Sequence, residues 1–508
     1  MKNFMRTVAV VTVFSVCEKF LGFLYRIFLS RTIGSEGIGL YQVALSVFAL
    51  IFTITCSGTP ITVSRLMTKY SAENRPDRVR KVITAGLSVT FFTAIPICLL
   101  FLLLGKNLGF LFADDRCVSI FLVVIPGLIF TSVYAVLRGV FWGNKDFLPY
   151  SAIELLEEIC MIISGIILIS FASNVYQGAF RAGVAVLISY VFSFTLATIV
   201  FFLRKNKFAN PKSELRPLLV SAMPVTAMRT ASSFASSLIS IILPMRLIVS
   251  GMSESQAMSA FGAAMGQAIP ILFIPTTLIG SFTLVLVPEI SENYYKKRHH
   301  YLKRDVEKSI KFTFFLTCLF VPVFLVCGKE IGVLIFGGHE CGDYLTASSF
   351  LMFFMSLSSI TTSILNSMGL EHKTLVAFIV STSFMLLSVW FLPKFMGVYS
   401  LIVGFSFVYG LTSILNLILL NKHCAEKPRY VKFLLLSSLL VVPTCLMGLM
   451  LEKLFLPILG SLFSFLLTSA LMMAFNFLLH VGFGLISFKL IKTRIKSSLR
   501  PKKRKLTA

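Results

Sequence analysis

Charge is scarce in this sequence, and negative charge is scarcest. Charged residues make up 14% of the 508 positions, and 22 Asp and Glu stand against 47 Lys and Arg. A soluble domain carries about 25% charged residues, so that class is excluded. All six Asp (Asp77, Asp114, Asp115, Asp146, Asp305 and Asp343) fall between apolar runs. Paired cysteine spacing is also missing. The ten Cys form no CxxC or CxxH, and Cys17, Cys56, Cys98, Cys160, Cys318 and Cys445 sit inside apolar runs, where Cys behaves as a small hydrophobe. Neither a disulfide framework nor a zinc site is expected, and no metal or cofactor. One polar loop, His339-Glu340-Cys341-Gly342-Asp343, holds metal-ligating side chain types, and it reads as a chance grouping. Long loops rich in acid or His are lacking too, which argues against an enzyme.

What is present is hydrophobic length. Mean hydropathy is +0.87 and 56% of residues are hydrophobic. Stretches of about 20 apolar residues recur, enough to cross a hydrocarbon core of about 30 Å. Read against turn and charge punctuation, the chain predicts fourteen membrane helices over 7–32, 38–66, 82–104, 117–141, 150–172, 180–203, 217–248, 256–286, 309–336, 345–368, 373–396, 398–421, 431–455 and 457–488. The N-terminus has no cleavage signal and reads as a first helix that stays.

The net charge of +25 does not indicate nucleic acid, because the basic residues sit in short loops between apolar runs. With both termini cytoplasmic, 35 of the 47 Lys and Arg fall on the inner side and 8 on the outer. A wrong helix count would scramble that alternation. The tail over 489–508 is polybasic and suits anionic membrane lipid.

A repeat runs through the chain. Arg26-Ile-Phe-Leu-Ser-Arg-Thr-Ile-Gly34, a Pro60 helix and a charged loop over 69–81 have counterparts in Pro244-Met-Arg-Leu-Ile-Val-Ser-Gly251, a helix with Pro270 and Pro275, and a charged loop over 289–311. Six helices per repeat predicts two parallel lobes, 1–205 and 206–422, with helices thirteen and fourteen (423–488) outside them.

Charges inside a span mark a cavity or a partner, because each costs roughly 3 kcal/mol. Helix one carries Glu18, Lys19 and Arg26 on one face. They form either a Glu18–Lys19 neutralisation with Arg26 reaching outward, or a cationic lining for an anionic head group. Helix seven places Thr226, Arg229, Ser232, Ser233, Ser236, Ser237 and Ser240 at helical spacing, bracketed by Pro224 and Pro244. Serines alone would serve close packing; an arginine among them points to a wet lumen. Arg65 and Arg246 either extend that path or anchor at the interface. Arginine suits pyrophosphate because its planar fork binds oxygens bidentately and stays charged. Glu18 is the candidate ion-coupling carboxylate, whereas Glu154, Glu157 and Glu158 read as a charge cluster at a helix start. Gly262 and Gly266 form a GxxxG face on helix eight, and Pro270 and Pro275 predict a break there.

Gly22-Phe-Leu-Tyr-Arg-Ile-Phe-Leu-Ser-Arg-Thr-Ile-Gly-Ser-Glu-Gly-Ile-Gly-Leu-Tyr-Gln42, with Gly58-Thr-Pro-Ile-Thr-Val-Ser-Arg65, resembles the stage V sporulation protein B group. Phe261-Gly-Ala-Ala-Met-Gly-Gln-Ala-Ile-Pro270 and Val287-Pro-Glu-Ile-Ser-Glu292 resemble its second lobe. That group belongs to the multidrug/oligosaccharidyl-lipid/polysaccharide exporter superfamily. The resemblance implies a V-shaped, two-lobed transporter of polyprenyl-pyrophosphate-linked sugars, with lining arginines on helices one, two and eight and a lipid-tail groove on helices thirteen and fourteen. Arg26 and Arg65 sit in matching helices, while helix eight here has no Lys or Arg and Arg246 ends helix seven. The expected partners are a polyprenyl-pyrophosphate sugar lipid and membrane lipids, without nucleic acid, for a monomer in a bacterial cytoplasmic membrane. A cation-coupled drug exporter on the same fold is the competing expectation.

Overall fold

The computed structural model describes residues 2–485; the polybasic tail lies outside them. Among the described residues every regular element is helical. The chain opens with α1 (Lys2–Cys56), α2 (Thr59–Ala72), α3 (Pro76–Leu104) and the short α4 (Asp115–Val124), which leads into α5 (Gly127–Gly143). Next come α6 (Phe147–Ser170), α7 (Val175–Leu203), α8 (Lys212–Val249), α9 (Glu254–Phe261), α10 (Ile269–Tyr295) and α11 (His299–Val326). After α12 (Gly328–Ile331) follow α13 (His339–Ser348), α14 (Leu351–Ser367), α15 (Glu371–Phe391), α16 (Pro393–Met396), α17 (Ser400–Phe405), α18 (Thr412–His423) and α19 (Val431–Gly482).

A straight helix as long as α1 would run roughly 80 Å at 1.5 Å per residue, far beyond one hydrocarbon core. It breaks at Gly34, whose φ of 67° and ψ of −177° lie where glycine alone carries no Cβ penalty. α19 breaks the same way at Gly460. Nine helices among the described residues are long and apolar enough to cross a membrane, or eleven when the bent pairs α4–α5 and α13–α14 count as single spans. The two glycine breaks, together with the glutamate-bearing α6, make this consistent with fourteen passes. The chain is thus an all-helical, multi-pass membrane protein. Asn74, Lys145, Lys205 and Lys297 take positive φ just past the ends of α2, α5, α7 and α10, so three basic loop residues, with Asn74, also serve as helix stops.

By internal contacts the chain forms two compact units. The first takes everything up to Gln267 with Phe336–Gly338 and Leu386–Leu401; the second takes Ala268–Ile335, His339–Met385 and the chain from Ile402 onward. By sequence repeat α8 and α9 begin the second lobe, but by contact they pack within the first unit. The first unit's core joins Val63, Met67, Val82, Val136, Val140, Phe141, Phe201 and Leu218, fully or almost fully buried. α8 is further tied at its start by Glu214, 2% exposed, which accepts a hydrogen bond from Tyr70 Oη at 2.8 Å and faces Arg78 at 3.8 Å.

The GxxxG face packs on α1. A Cβ on Gly262 would collide with the Ser35 carbonyl, and one on Gly266 with Ile38. α9 opens with a capping box between Ser253 and Gln256 and passes through a π-helical segment, Gly262–Ala268, into α10, which takes Pro270 into its first turn and continues past Pro275, so helix eight is widened locally rather than broken at its prolines. Gly262→Val is expected to cost about 1–3 kcal/mol by overpacking, seen as a lower thermal unfolding midpoint of the solubilised protein. In the second unit α11 lies along α19 and α14, and Asp305, expected in a loop, sits in the first turns of α11, buried and accepting from Asn293 at 2.9 Å. Asp343 of the 339–343 segment pairs with Lys329 at 3.3 Å.

Candidate functional site

The site lies entirely within the first unit and begins where α1 stops. The Ser57-Gly58 break and Pro60, at the start of α2, interrupt regular backbone pairing there and leave a recess. A cavity of about 400 Å³ occupies it. α1 supplies Phe52, Thr53 and Cys56 at helical spacing, α2 supplies Pro60 and Ile61, α5 supplies Arg138 and Trp142, and α8 supplies Arg229, Ser232, Ser233 and Ser236. The lining therefore holds two guanidiniums and several hydroxyls but no carboxylate.

α8 divides its serine stripe between two uses. Ser232, Ser233 and Ser236 face the cavity with Arg229. Ser237 and Ser240 are buried on the packing edge, Ser237 donating to the Ser46 carbonyl at 2.7 Å. Thr53 donates to Ser233 Oγ at 3.3 Å and joins α1 to α8 across the cavity wall. Arg229 is exposed and makes no ion pair among the described residues.

Arg138, counted among the 35 basic residues of the inner-side segments, is a residue of α5 rather than of a loop. It lies on the face of α5 that carries Thr131, Tyr134 and Ala135, one turn before Trp142. Its Nη1 donates to Glu154 Oε1 at 3.1 Å, and its guanidinium lies 5.2 Å from the Trp142 ring centroid. A second cavity of about 200 Å³ adjoins it, lined by Glu18 of α1, Tyr134 and Arg138 of α5, and Glu154, Glu157 and Glu158 of α6. Phe52 and Arg138 line both cavities. The spacing of Glu154, Glu157 and Glu158 puts them on one helix face, the signal by which a cavity lining could have been told from a helix-start cluster.

Of the expected site residues, Arg229, Ser233 and Ser236 come together in the larger cavity and Glu18 lines the smaller. Arg26 lines neither. Its Nη1 donates to the Gly266 carbonyl at 2.8 Å, within the π-helical segment. Arg246 donates from Nε to the Trp390 carbonyl at 2.8 Å and lies 5.0 Å from that ring's centroid, a structural clamp. Arg65 is exposed one turn past Ile61, outside the lining, and Lys19 is exposed on α1.

A family described as polysaccharide biosynthesis proteins matches residues 4–294, more than half of the chain. The chain belongs to that family. It is 22% identical over 373 residues to Stage V sporulation protein B of Bacillus subtilis (strain 168), covering 70% of this chain and 71% of that protein. It is 22% identical over 484 residues to the Lipid II flippase MurJ of the same organism, covering 86% and 87%. Its fold is that of a lipid II flippase MurJ in an inward closed conformation, with a TM-score of 0.70 at 14% identity, covering 94% of this chain and 99% of that one. An inward-facing multidrug resistance MATE family transporter of the MOP superfamily matches with a TM-score of 0.64 at 14% identity, covering 79% and 93%. The resemblance read from the sequence is thus borne out, and this member of the polysaccharide biosynthesis family carries the MOP fold.

Proposed function

We propose that this chain is a transporter that moves a polyprenyl-pyrophosphate-linked glycan, such as a peptidoglycan precursor or a related polysaccharide intermediate, across the cytoplasmic membrane by alternating access. The observation that carries the reading is the larger cavity, where Arg229 and Arg138 stand among serine hydroxyls with no carboxylate in the lining. Two guanidiniums match the two phosphates of a pyrophosphate head, and each can bind bidentately. The hydroxyls donate to remaining phosphate or sugar oxygens. Two curated relatives, one named a lipid II flippase and one a sporulation protein, support the substrate class and a role in cell wall or spore cortex synthesis. In this reading the termini are cytoplasmic, the protein acts as a monomer rather than an enzyme, and Arg65 guides the anion toward the cavity.

The second reading, a cation-coupled drug exporter, is favoured by one observation, the carboxylate cavity beside Arg138. Reconstitution separates the two. Proteoliposomes holding a labelled polyprenyl-pyrophosphate glycan are expected to expose it in the opposite leaflet far faster than protein-free vesicles. No acceleration, together with drug efflux driven by a cation gradient, would replace the first reading by the second.

A further inference from the structure

A third cavity of the first unit, about 490 Å³, is lined by no charged side chain. It lies where two helices stop together. α1 and α6 run parallel there, with Gly22 beside Glu158 and Gly165 against Tyr25. α1 turns at Gly34 and α6 ends at Ser170, so the 171–174 turn closes one end of the space between them and leads into α7. Ile33 and Ile169, both buried, form its floor. α7 packs so closely on Ile33 that a Cβ on Gly178 would collide with it.

Polarity changes along this cavity in one direction. On α1 Phe28 lies one turn before Thr32, and on α6 Ile166 lies one turn before Ser170. Both helices therefore present an apolar side chain deep in the recess and a hydroxyl near the turn. The polar groups of that rim already have partners. Thr32 Oγ1 donates to the Phe28 carbonyl at 2.8 Å, and Ser170 Oγ donates to the Ile167 carbonyl at 2.7 Å. Asn174 Oδ1 accepts from the Gln177 amide at 2.8 Å and caps α7. A pyrophosphate would find no cation here, and a sugar few free donors. Next to the opening, Ile163, Ile167 and Phe171 of α6 are exposed, so the recess continues the apolar surface that the protein turns to the bilayer.

We propose that this cavity holds an acyl chain of a membrane glycerophospholipid, with the ester region at the hydroxyl rim and the methylenes against Phe28, Ile166 and Ile169. Its volume falls within the roughly 300–1,000 Å³ of small-molecule sites. Inside a bilayer a chain gains no hydrophobic free energy by leaving other chains. What holds it is packing against walls that would otherwise lose those contacts. Because no charge lines the cavity, the head group is not selected, and phosphatidylcholine and phosphatidylglycerol bind alike. The seated chain bridges α1, α6 and α7 whatever the transporter carries.

The test titrates the delipidated full chain in mild detergent with phosphatidylcholine that bears a photoreactive diazirine on one acyl chain. Labelled peptides are mapped by mass spectrometry. Label over 166–175 is expected to level off once lipid and protein are equimolar. Label on α3, whose Phe92 and Leu103 are exposed outside any cavity, should keep rising with lipid. Ser170→Phe and Thr32→Phe fill the recess from two different helices, at exposed positions whose hydroxyls bond within their own helices. Each is expected to cut the 166–175 label on the order of tenfold, the factor that roughly ten lost carbon–carbon contacts are worth. The α3 label and the unfolding midpoint should stay at parental values. Label that rises in parallel on both peptides in the parent overturns the site, and this comparison decides even where a variant unfolds. Undiminished label in both folded variants overturns it as well. Marked preference for phosphatidylglycerol overturns the chain-held reading, and displacement by polyprenyl phosphate at levels where unlabelled phosphatidylcholine has no effect assigns the cavity to a prenyl tail instead.

Discussion

Arg229→Ala is expected to slow translocation of a polyprenyl-pyrophosphate glycan about 10- to 100-fold in proteoliposomes while leaving the thermal unfolding midpoint unmoved. The magnitude follows from the loss of one charge-assisted contact to phosphate, about 1.5–3 kcal/mol, at roughly 1.4 kcal/mol per tenfold. The unmoved midpoint follows from geometry. Arg229 is exposed to its cavity, pairs with no acid among the described residues, and leaves no buried partner behind when removed. Arg26→Ala is the contrasting case. Removing its hydrogen bond to the Gly266 carbonyl is expected to lower stability by about 1–3 kcal/mol, with transport falling in proportion to the folded fraction. An Arg229→Ala protein that flips at the parental rate would remove Arg229 from the site; one that unfolds would make it structural.

That contrast shows what the sequence could convey. Arg229 was legible because its neighbours on one helix, Ser232, Ser233 and Ser236, define its face by local spacing alone. Arg26 lay on an equally legible face, yet its partner is a backbone carbonyl in a π-helical segment 240 positions away. Regular α-helical pairing would occupy that carbonyl, and no residue pattern announces its release. Arg246 was legible as a charge near a helix end, but its clamp on Trp390 required knowing that residues 386–401 pack within the first unit. The fold was clearer than the site, because hydropathy and loop charge report membrane passes directly. Contact grouping was not legible. The repeat divides the chain before α8, whereas α8 and α9 pack by contact with α1 to α3, a tertiary choice made by close contacts such as Gly262 on Ser35.

Arg138 was missed for an electrostatic reason, and the same reason makes it the place where stability and transport separate. A lone arginine near a short loop satisfies the positive-inside pattern, so nothing local sets it apart; its partner Glu154 lies on the next helix. Arg138→Leu is expected to lower stability by about 2–3 kcal/mol, because it leaves Glu154 among three other carboxylates without its guanidinium. The figure sits below that for a fully buried pair because the two side chains keep 26% and 19% of their exposure. Arg138→Leu combined with Glu154→Leu is expected to recover most of the loss, since the orphaned charge is then gone. Transport should not recover with it, because the double variant still lacks one of the two guanidiniums facing the larger cavity. Unfolding midpoints of the two single variants and the double, measured beside their flipping rates, decide the matter. Recovery of both quantities would make Arg138 merely the counter-ion of Glu154. Recovery of neither would place its contribution in the contact with Trp142, which leucine also removes.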